Sequence, residues 1–401
     1  MTTEPRPVPA GTRLLHIGPP KTGTTVLQAA MQSKRDVMRE HGVVLVGNDQ
    51  SGRQAVLAAL LDAGFDESSD ATLFRRWRRL LDEMEAAGDE RACLSNESLA
   101  QLESEGVRRM VDALGGDRAH VVAVARRLDR LLPSHWQEWV RIGSTSLSFE
   151  QWLEIVLGDH RDSRHWQEFW LPNDLERLLE RWVGATSPDR FTLIVADEGD
   201  ELLLSRAFET LLDLPDGLLQ PEDTHRKNVS ASLARVEVVR RVNQLLEDRD
   251  WPPGVKAALR SRVAKRIRSA PPWPGEVPVP PLPPWAATRV SELNMQREQL
   301  VRSSGVRVIG DPSNLGGPAP EATALDGHPD LVSTELAAVS VVTAIGGAVE
   351  LLDQQRSIGP RGQARPPAGP SDEQVLERIT ARTLMLELRR RATRRLLRRH
   401  R

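Results

Sequence analysis

The chain has 401 residues, of which 39% are hydrophobic and 27% are charged, proportions typical of a soluble globular protein. Its 54 basic and 56 acidic residues give a formal net charge of −2, so composition does not favour nucleic acid as a partner. The single cysteine, Cys93, excludes an internal disulfide and a cysteine-rich metal site, and it fits a reducing compartment.

The first residues are rich in proline and polar side chains and lack the apolar centre of a secretory signal. We expect residues 1–11 to be disordered. The longest apolar stretch, about residues 337–349, is too short to span a bilayer. Together these features predict a cytoplasmic protein.

Short apolar segments alternate with helical patterns along the chain. Five of them are predicted strands, at residues 14–17, 43–46, 92–94, 120–124 and 192–195. Residues 306–309 form one more candidate strand. Apolar strands that alternate with helices indicate a parallel sheet covered on both faces. We therefore predict an α/β fold, a doubly wound parallel sheet of about five strands with helices on both faces.

The segment at residues 144–184 is helical in pattern and rich in tryptophan. Indole rings at such spacing favour a place in the core over a ligand pocket. Residues 270–284 are dense in proline and predict an extended connection. Beyond residue 315 we expect a linker with an apolar helix over 316–370, and a basic helix over 371–401 as a C-terminal helical extension.

The most specific motif joins the first predicted strand to the following helix. It reads Gly-Pro-Pro-Lys-Thr-Gly-Thr-Thr over residues 18–25. Backbone N–H groups, a helix N-terminus, an ammonium and several hydroxyls meet there, which predicts a phosphate or sulfate site. The alternative is an ordinary strand-to-helix turn with a threonine cap. Because Lys21 precedes Gly23, the nucleotide-hydrolase loop pattern does not fit.

Residues 20–25 resemble the 5′-phosphosulfate loop of sulfotransferases that use 3′-phosphoadenosine 5′-phosphosulfate (PAPS). The resemblance implies a nucleotide-kinase-like fold over residues 12–315, PAPS as donor, adenosine 3′,5′-bisphosphate (PAP) as product, and no metal. It also implies that the 5′-phosphate and the sulfuryl group contact Pro20, Lys21, Thr22, Gly23, Thr24 and Thr25. Family members often carry a tryptophan where this chain has Val26, so the adenine contact stays unassigned.

Two further matches concern the 3′-phosphate. Arg126 ends a predicted strand and Ser134 follows eight residues later, as in the arginine and serine that grip this group in the family. A guanidinium offers a phosphate two parallel hydrogen bonds, and a hydroxyl adds a third donor. Arg226 and Lys227 match the family's late basic loop in part, because Asn228 replaces its glycine.

Glu97 is the leading candidate for the general base. It follows the predicted strand at 92–94, and ligands bind at the carboxyl ends of strands in such sheets. Carbohydrate-type sulfotransferases likewise use a glutamate. The alternatives are His135 as the base, or Glu97 as an ordinary first-turn acid. His16, inside the first strand, is predicted to be a buried structural histidine.

The predicted reaction is sulfuryl transfer to a hydroxyl or amine on a small molecule, carbohydrate or glycolipid. A second hypothesis is an ATP-dependent kinase or other nucleotide-binding protein, with Asp197 holding Mg²⁺ at a strand end. A third is a non-catalytic protein whose arginine-rich C-terminus contacts an anionic membrane. For that terminus we favour a solvated helix end.

Overall fold

Six parallel strands form the central sheet of this computed structural model, which describes residues 6–47, 71–221, 231–269 and 282–320. The strands are β1 (Arg13–Gly18), β2 (Val43–Leu45), β3 (Arg91–Ser95), β4 (Ala119–Ala125), β5 (Phe191–Val195) and β6 (Arg307–Ile309). They lie in the order β2-β3-β1-β4-β5-β6. The predicted doubly wound parallel sheet is confirmed, with six strands instead of about five because β6 pairs with β5.

The strand order reverses direction at β1. From β1 the chain moves outward to β2 and returns to β3, and it then crosses to β4 on the other side of β1. The carboxyl ends of β1 and β4 therefore border a crevice of the kind in which open α/β sheets bind ligands. Every residue of β1 and β4 is buried, which explains why these strands are mostly apolar.

Helices cover both faces of the sheet, as predicted. On one face they are α1 (Thr24–Ser33), α2 (Arg35–Glu40) and α9 (Leu203–Leu212). On the other they are α3 (Ala71–Ala86), α4 (Ser104–Leu114) and α8 (Leu175–Ala185). The remaining helices build a second core beside the sheet: α5 (Leu128–Arg141), α6 (Phe149–Leu157), α7 (Arg164–Asn173), α10 (Leu233–Glu247), α11 (Pro253–Ser269) and α12 (Pro284–Ser303).

The tryptophans of residues 144–184 belong mainly to the core, as predicted. Trp152 and Trp182 are fully buried, and Trp170 packs on the second core from a half-buried position. Trp152 meets Phe169 edge to face, with ring centroids 5.6 Å apart. Such contacts join α6 to α7 and fix their packing beside the sheet.

Both ends of the predicted domain need correction. Residues 6–11 are not disordered, because Val8 is 2% exposed in the core and its N–H donates to Leu211 O at 2.9 Å. At the other end the fold continues past residue 315, since Ala319 is buried in the second core. The predicted apolar helix and basic C-terminal helix, and most of the proline-rich connection, lie outside the described residues.

Within the described ranges, each helix is too short or too polar to cross a membrane.

Candidate functional site

The loop from Pro19 to Gly23 connects β1 to α1 at the carboxyl end of the sheet. Its backbone is left-handed at Lys21, with φ of 72°, and at Gly23, with φ of 91°. A non-glycine residue rarely adopts this conformation, and such positions cluster at ligand sites. Gly23 occupies the N-cap of α1 and carries no side chain there, so the first N–H groups of the helix remain available to an anion.

The loop threonines differ in their surroundings. Thr22 is buried, and its Oγ1 donates to Pro19 O at 2.7 Å, a bond that closes the loop on itself. Thr24 is also buried, and its Oγ1 donates to Glu97 Oε1. Thr25 is exposed. The hydroxyls of Thr22 and Thr24 are thus engaged within the protein.

Lys21 forms an ion pair that sequence reasoning missed. Its Nζ lies 3.3 Å from Glu138 Oε2, and both side chains are half-buried. Glu138 also accepts two hydrogen bonds from Arg141. Burial of the Glu138 carboxyl alone raises its pKa, but the bonds from Arg141 and the charge of Lys21 outweigh burial and bring the pKa to about 2. Glu138 therefore keeps a cationic partner even when Lys21 moves to a ligand.

Arg126 lies directly after β4 and contacts the loop. Its Nη1 donates to Lys21 O at 3.0 Å, which brings the two predicted phosphate-binding cations to one side of the sheet. Ser134 is half-buried on α5, the helix that begins two residues after Arg126. The structure adds an unpredicted partner, because Glu198 accepts from Arg126 Nε at 2.6 Å and from Nη2 at 3.0 Å.

A buried arginine supports the backbone at this point. Arg297 of α12 is 8% exposed and donates to Arg126 O at 3.0 Å and to Asn173 O at 2.7 Å. Burial of the guanidinium lowers its pKa to about 10. Arg297 and Asn173 line a small cavity together with Pro19, Thr22 and Arg126. Arg297 thus holds the carboxyl end of β4 in position, a role that no local sequence pattern indicated.

Glu97 lies against the loop, as its place after β3 predicted. It begins the 3₁₀ turn Glu97–Gln101, and its carboxylate accepts the hydrogen bond from Thr24. A Cβ added to Gly18 would lie 3.1 Å from Glu97 Cα and would crowd that side chain. The glycine at the end of β1 therefore permits the carboxylate to approach the loop closely.

His135, the alternative base, and His16 both have structural surroundings. His135 is buried on α5 and packs edge to face against Phe169, with ring centroids 5.2 Å apart. His16 is fully buried, as predicted, and its Nδ1 lies 2.7 Å from Ser95 Oγ. Desolvation lowers the pKa of His16 to about 3, so its ring is neutral. These contacts favour Glu97 over either histidine as the group beside the loop.

The structure gives little or no information on the remaining predicted site residues. Arg226 and Lys227 lie outside the described residues. Val26 is half-buried in the first turn of α1. Asp197, the metal ligand of the kinase hypothesis, accepts from Gly199 N at 2.8 Å in the turn after β5. In the described part of the chain, clusters of three or more acidic, histidine or cysteine side chains that could hold a metal are absent.

Comparison with known proteins yields one structural likeness of low similarity. The chain is similar to the solved crystal structure of a sulfotransferase from Alicyclobacillus acidocaldarius, at 15% sequence identity and a TM-score of 0.36. The match covers 60% of this chain and 97% of that one. No protein-family model matches the chain, and no curated protein matches it. Function must therefore be inferred from the residues around the loop.

Proposed function

We propose that this protein is a sulfotransferase that moves a sulfuryl group from PAPS to a hydroxyl or amine acceptor. The observation that carries the proposal is the convergence on one loop of a cation from β4 and a carboxylate from the turn after β3. Arg126 donates to Lys21 O at 3.0 Å, and Glu97 accepts from Thr24. The loop itself has the residue pattern of a 5′-phosphosulfate site.

In the proposed reaction the acceptor oxygen or nitrogen attacks sulfur in line with the departing 5′-phosphate. A bond forms between the acceptor atom and sulfur, and the bond between sulfur and the bridging phosphate oxygen breaks. That oxygen gains negative charge as PAP leaves. The Lys21 ammonium and the N–H groups at the start of α1 stabilise this charge. In this proposal the same phosphate-binding site is completed by Pro20, Thr22, Gly23 and Thr25.

The acceptor also loses a proton, and Glu97 is the proposed base. Its carboxylate accepts a hydrogen bond from Thr24 of the loop, and this contact supports a place beside the transferred group. A base must come within hydrogen-bond reach of the proton that it removes, so the proposal requires the acceptor to bind beside this carboxylate. In this proposal the proton moves from the acceptor to Glu97 and then to solvent.

The 3′-phosphate of the donor is assigned to Arg126 and Ser134, with Arg226 and Lys227 as further cations. Arg126 supports this assignment through its place at the carboxyl end of β4, next to the loop. The acceptor is proposed to be a small molecule, carbohydrate or glycolipid, because sulfuryl transfer needs only an exposed hydroxyl or amine.

Calorimetric titration tests the proposal. We expect PAP to bind with micromolar affinity in the presence of a metal chelator, and ATP to bind at least about tenfold more weakly with or without Mg²⁺. Preference for Mg²⁺–ATP over PAP would contradict the proposal and favour the kinase hypothesis. A second assay follows transfer of labelled sulfate from PAPS to a panel of sugars and phenols.

A further inference from the structure

The carboxylate of Glu198 occupies one edge of the Arg126 guanidinium. Its two oxygens accept from Nε at 2.6 Å and from Nη2 at 3.0 Å, a bidentate arrangement. Nη1 of the same guanidinium donates to Lys21 O at 3.0 Å. A phosphate prefers the same two parallel donors that Glu198 uses. A phosphate therefore cannot take this edge of Arg126 while Glu198 remains in place.

Glu198 can leave this position at low cost. It lies in the turn between β5 and α9, and its side chain is 41% exposed, so the carboxylate can rotate into water. Arg127 and Arg130 are close enough that their charges help to lower the pKa of Glu198. A partly exposed ion pair of this kind contributes little to the stability of the fold.

We propose that Glu198 is a competitor for the 3′-phosphate: it fills the phosphate-binding edge of Arg126 in the free protein and must be displaced when the donor nucleotide binds. This inference rests on the proposed function and adds a regulatory element to the same site. Glu198 lowers the affinity for any nucleotide that carries a 3′-phosphate, and so speeds release of PAP. A nucleotide without that phosphate does not need to displace it.

The test compares two nucleotides that differ at the 3′ position. Binding of PAP and of adenosine 5′-monophosphate (AMP) is measured by calorimetry for the full chain and for Glu198→Gln. We expect the substitution to tighten PAP binding about three- to tenfold. AMP binding should change by less than about twofold, because the lost ion pair lies at the 3′ edge. Glu198→Ala should behave in the same way.

Glu201→Gln is the matched control, since it removes the same charge from the same turn. We expect it to alter PAP and AMP binding by less than about twofold. Weaker or unchanged PAP binding in Glu198→Gln would overturn the inference while leaving the proposed function intact. An equal gain in affinity for PAP and for AMP in Glu198→Gln would also overturn the inference. That result would show that the lost negative charge acts on any nucleotide and not on the 3′-phosphate in particular. If the unsubstituted chain binds no PAP, the proposed function fails as well.

Discussion

Lys21 supplies the positive side-chain charge of the loop between β1 and α1. Replacing it with methionine keeps the length of the side chain but removes the ammonium. We expect kcat for sulfuryl transfer to fall at least about 100-fold, as when a preorganised electrostatic donor is deleted. The free energy of unfolding, measured in urea, should change by about 1 kcal/mol or less, because Glu138 keeps its bonds to Arg141.

Lys34→Met is the control for this substitution. Lys34 follows the last residue of α1, about 15 Å along the helix from the loop. The Lys34→Met variant should retain near-normal turnover. Comparable loss of activity in both variants would indicate a general charge effect and would contradict the role of Lys21.

Glu97 accepts the hydrogen bond of Thr24, and the proposed function also makes it the base. As a base it should act on the rate alone. We therefore expect Glu97→Gln to lower kcat about 100- to 1000-fold and to leave the Kd for PAP within about threefold.

The opposite result would assign Glu97 to loop positioning. In that case PAP binding should weaken in Glu97→Gln, and Thr24→Val should reproduce the effect because it removes the donor of the same bond. Thr24→Ser keeps the hydroxyl and should restore binding. Near-normal turnover in Glu97→Gln would place the base elsewhere.

At the scale of elements, residues 316–320, which follow the 3₁₀ turn Pro312–Leu315, belong to the domain. Arg127 donates to Gly316 O and to Pro318 O, the latter at 2.8 Å. Ala319 N donates to Ser291 Oγ at 2.8 Å, which attaches the segment to α12. Arg127 also binds the buried carboxylate of Asp129, so the segment completes a network that reaches the helix following β4.

A comparison of two shortened chains tests this boundary. We expect a chain that ends at residue 315 to be less stable than one that ends at residue 320, by about 2–3 kcal/mol in urea unfolding. The loss comes from the carbonyl partners of Arg127 and from the burial of Ala319. If the urea unfolding curves of the two chains have the same midpoint and the same slope, residues 316–320 do not stabilise the domain and its boundary lies at residue 315.

At the scale of the whole molecule, two histidines inside the sheet tie stability to pH. Burial lowers the pKa of His16 to about 3. Burial and the charges of nearby arginines together lower the pKa of His120 to about 4. The ordinary histidine pKa in an unfolded chain is about 6.5. The unfolded state therefore binds protons more readily, and stability falls as pH drops below 6.5 towards the folded pKa values.

We expect the free energy of unfolding to decrease by about 2 kcal/mol per histidine between pH 7 and pH 5. Urea titrations at each pH measure this change. His120→Gln removes one titrating group and should flatten the dependence by about half. The pKa of Glu138, about 2, places its own contribution at lower pH, outside this window. A flat profile in the unsubstituted chain would contradict the assignment.

Short apolar runs predicted the strands, because a buried strand is encoded locally. All six predicted strands are present, within one residue at either end. The contact of Arg126 with the loop follows from parallel strands, whose carboxyl ends share an edge. The disorder expected at residues 1–11 was wrong for 6–11, because a polar, proline-rich segment still contributes Val8 to the core.

The sequence alone determined the sheet and the strand–loop–helix segment at residues 13–33, since a buried parallel strand and the turn that follows it each depend on adjacent residues. Tertiary structure alone decided which carboxylates meet the cations. Glu138 and Glu198 lie 117 and 72 residues from Lys21 and Arg126, and each reads in sequence as an ordinary surface charge. Their pairing depends on how α5 and the turn after β5 pack around the sheet, because ion pairs form between neighbours in space whatever their separation along the chain.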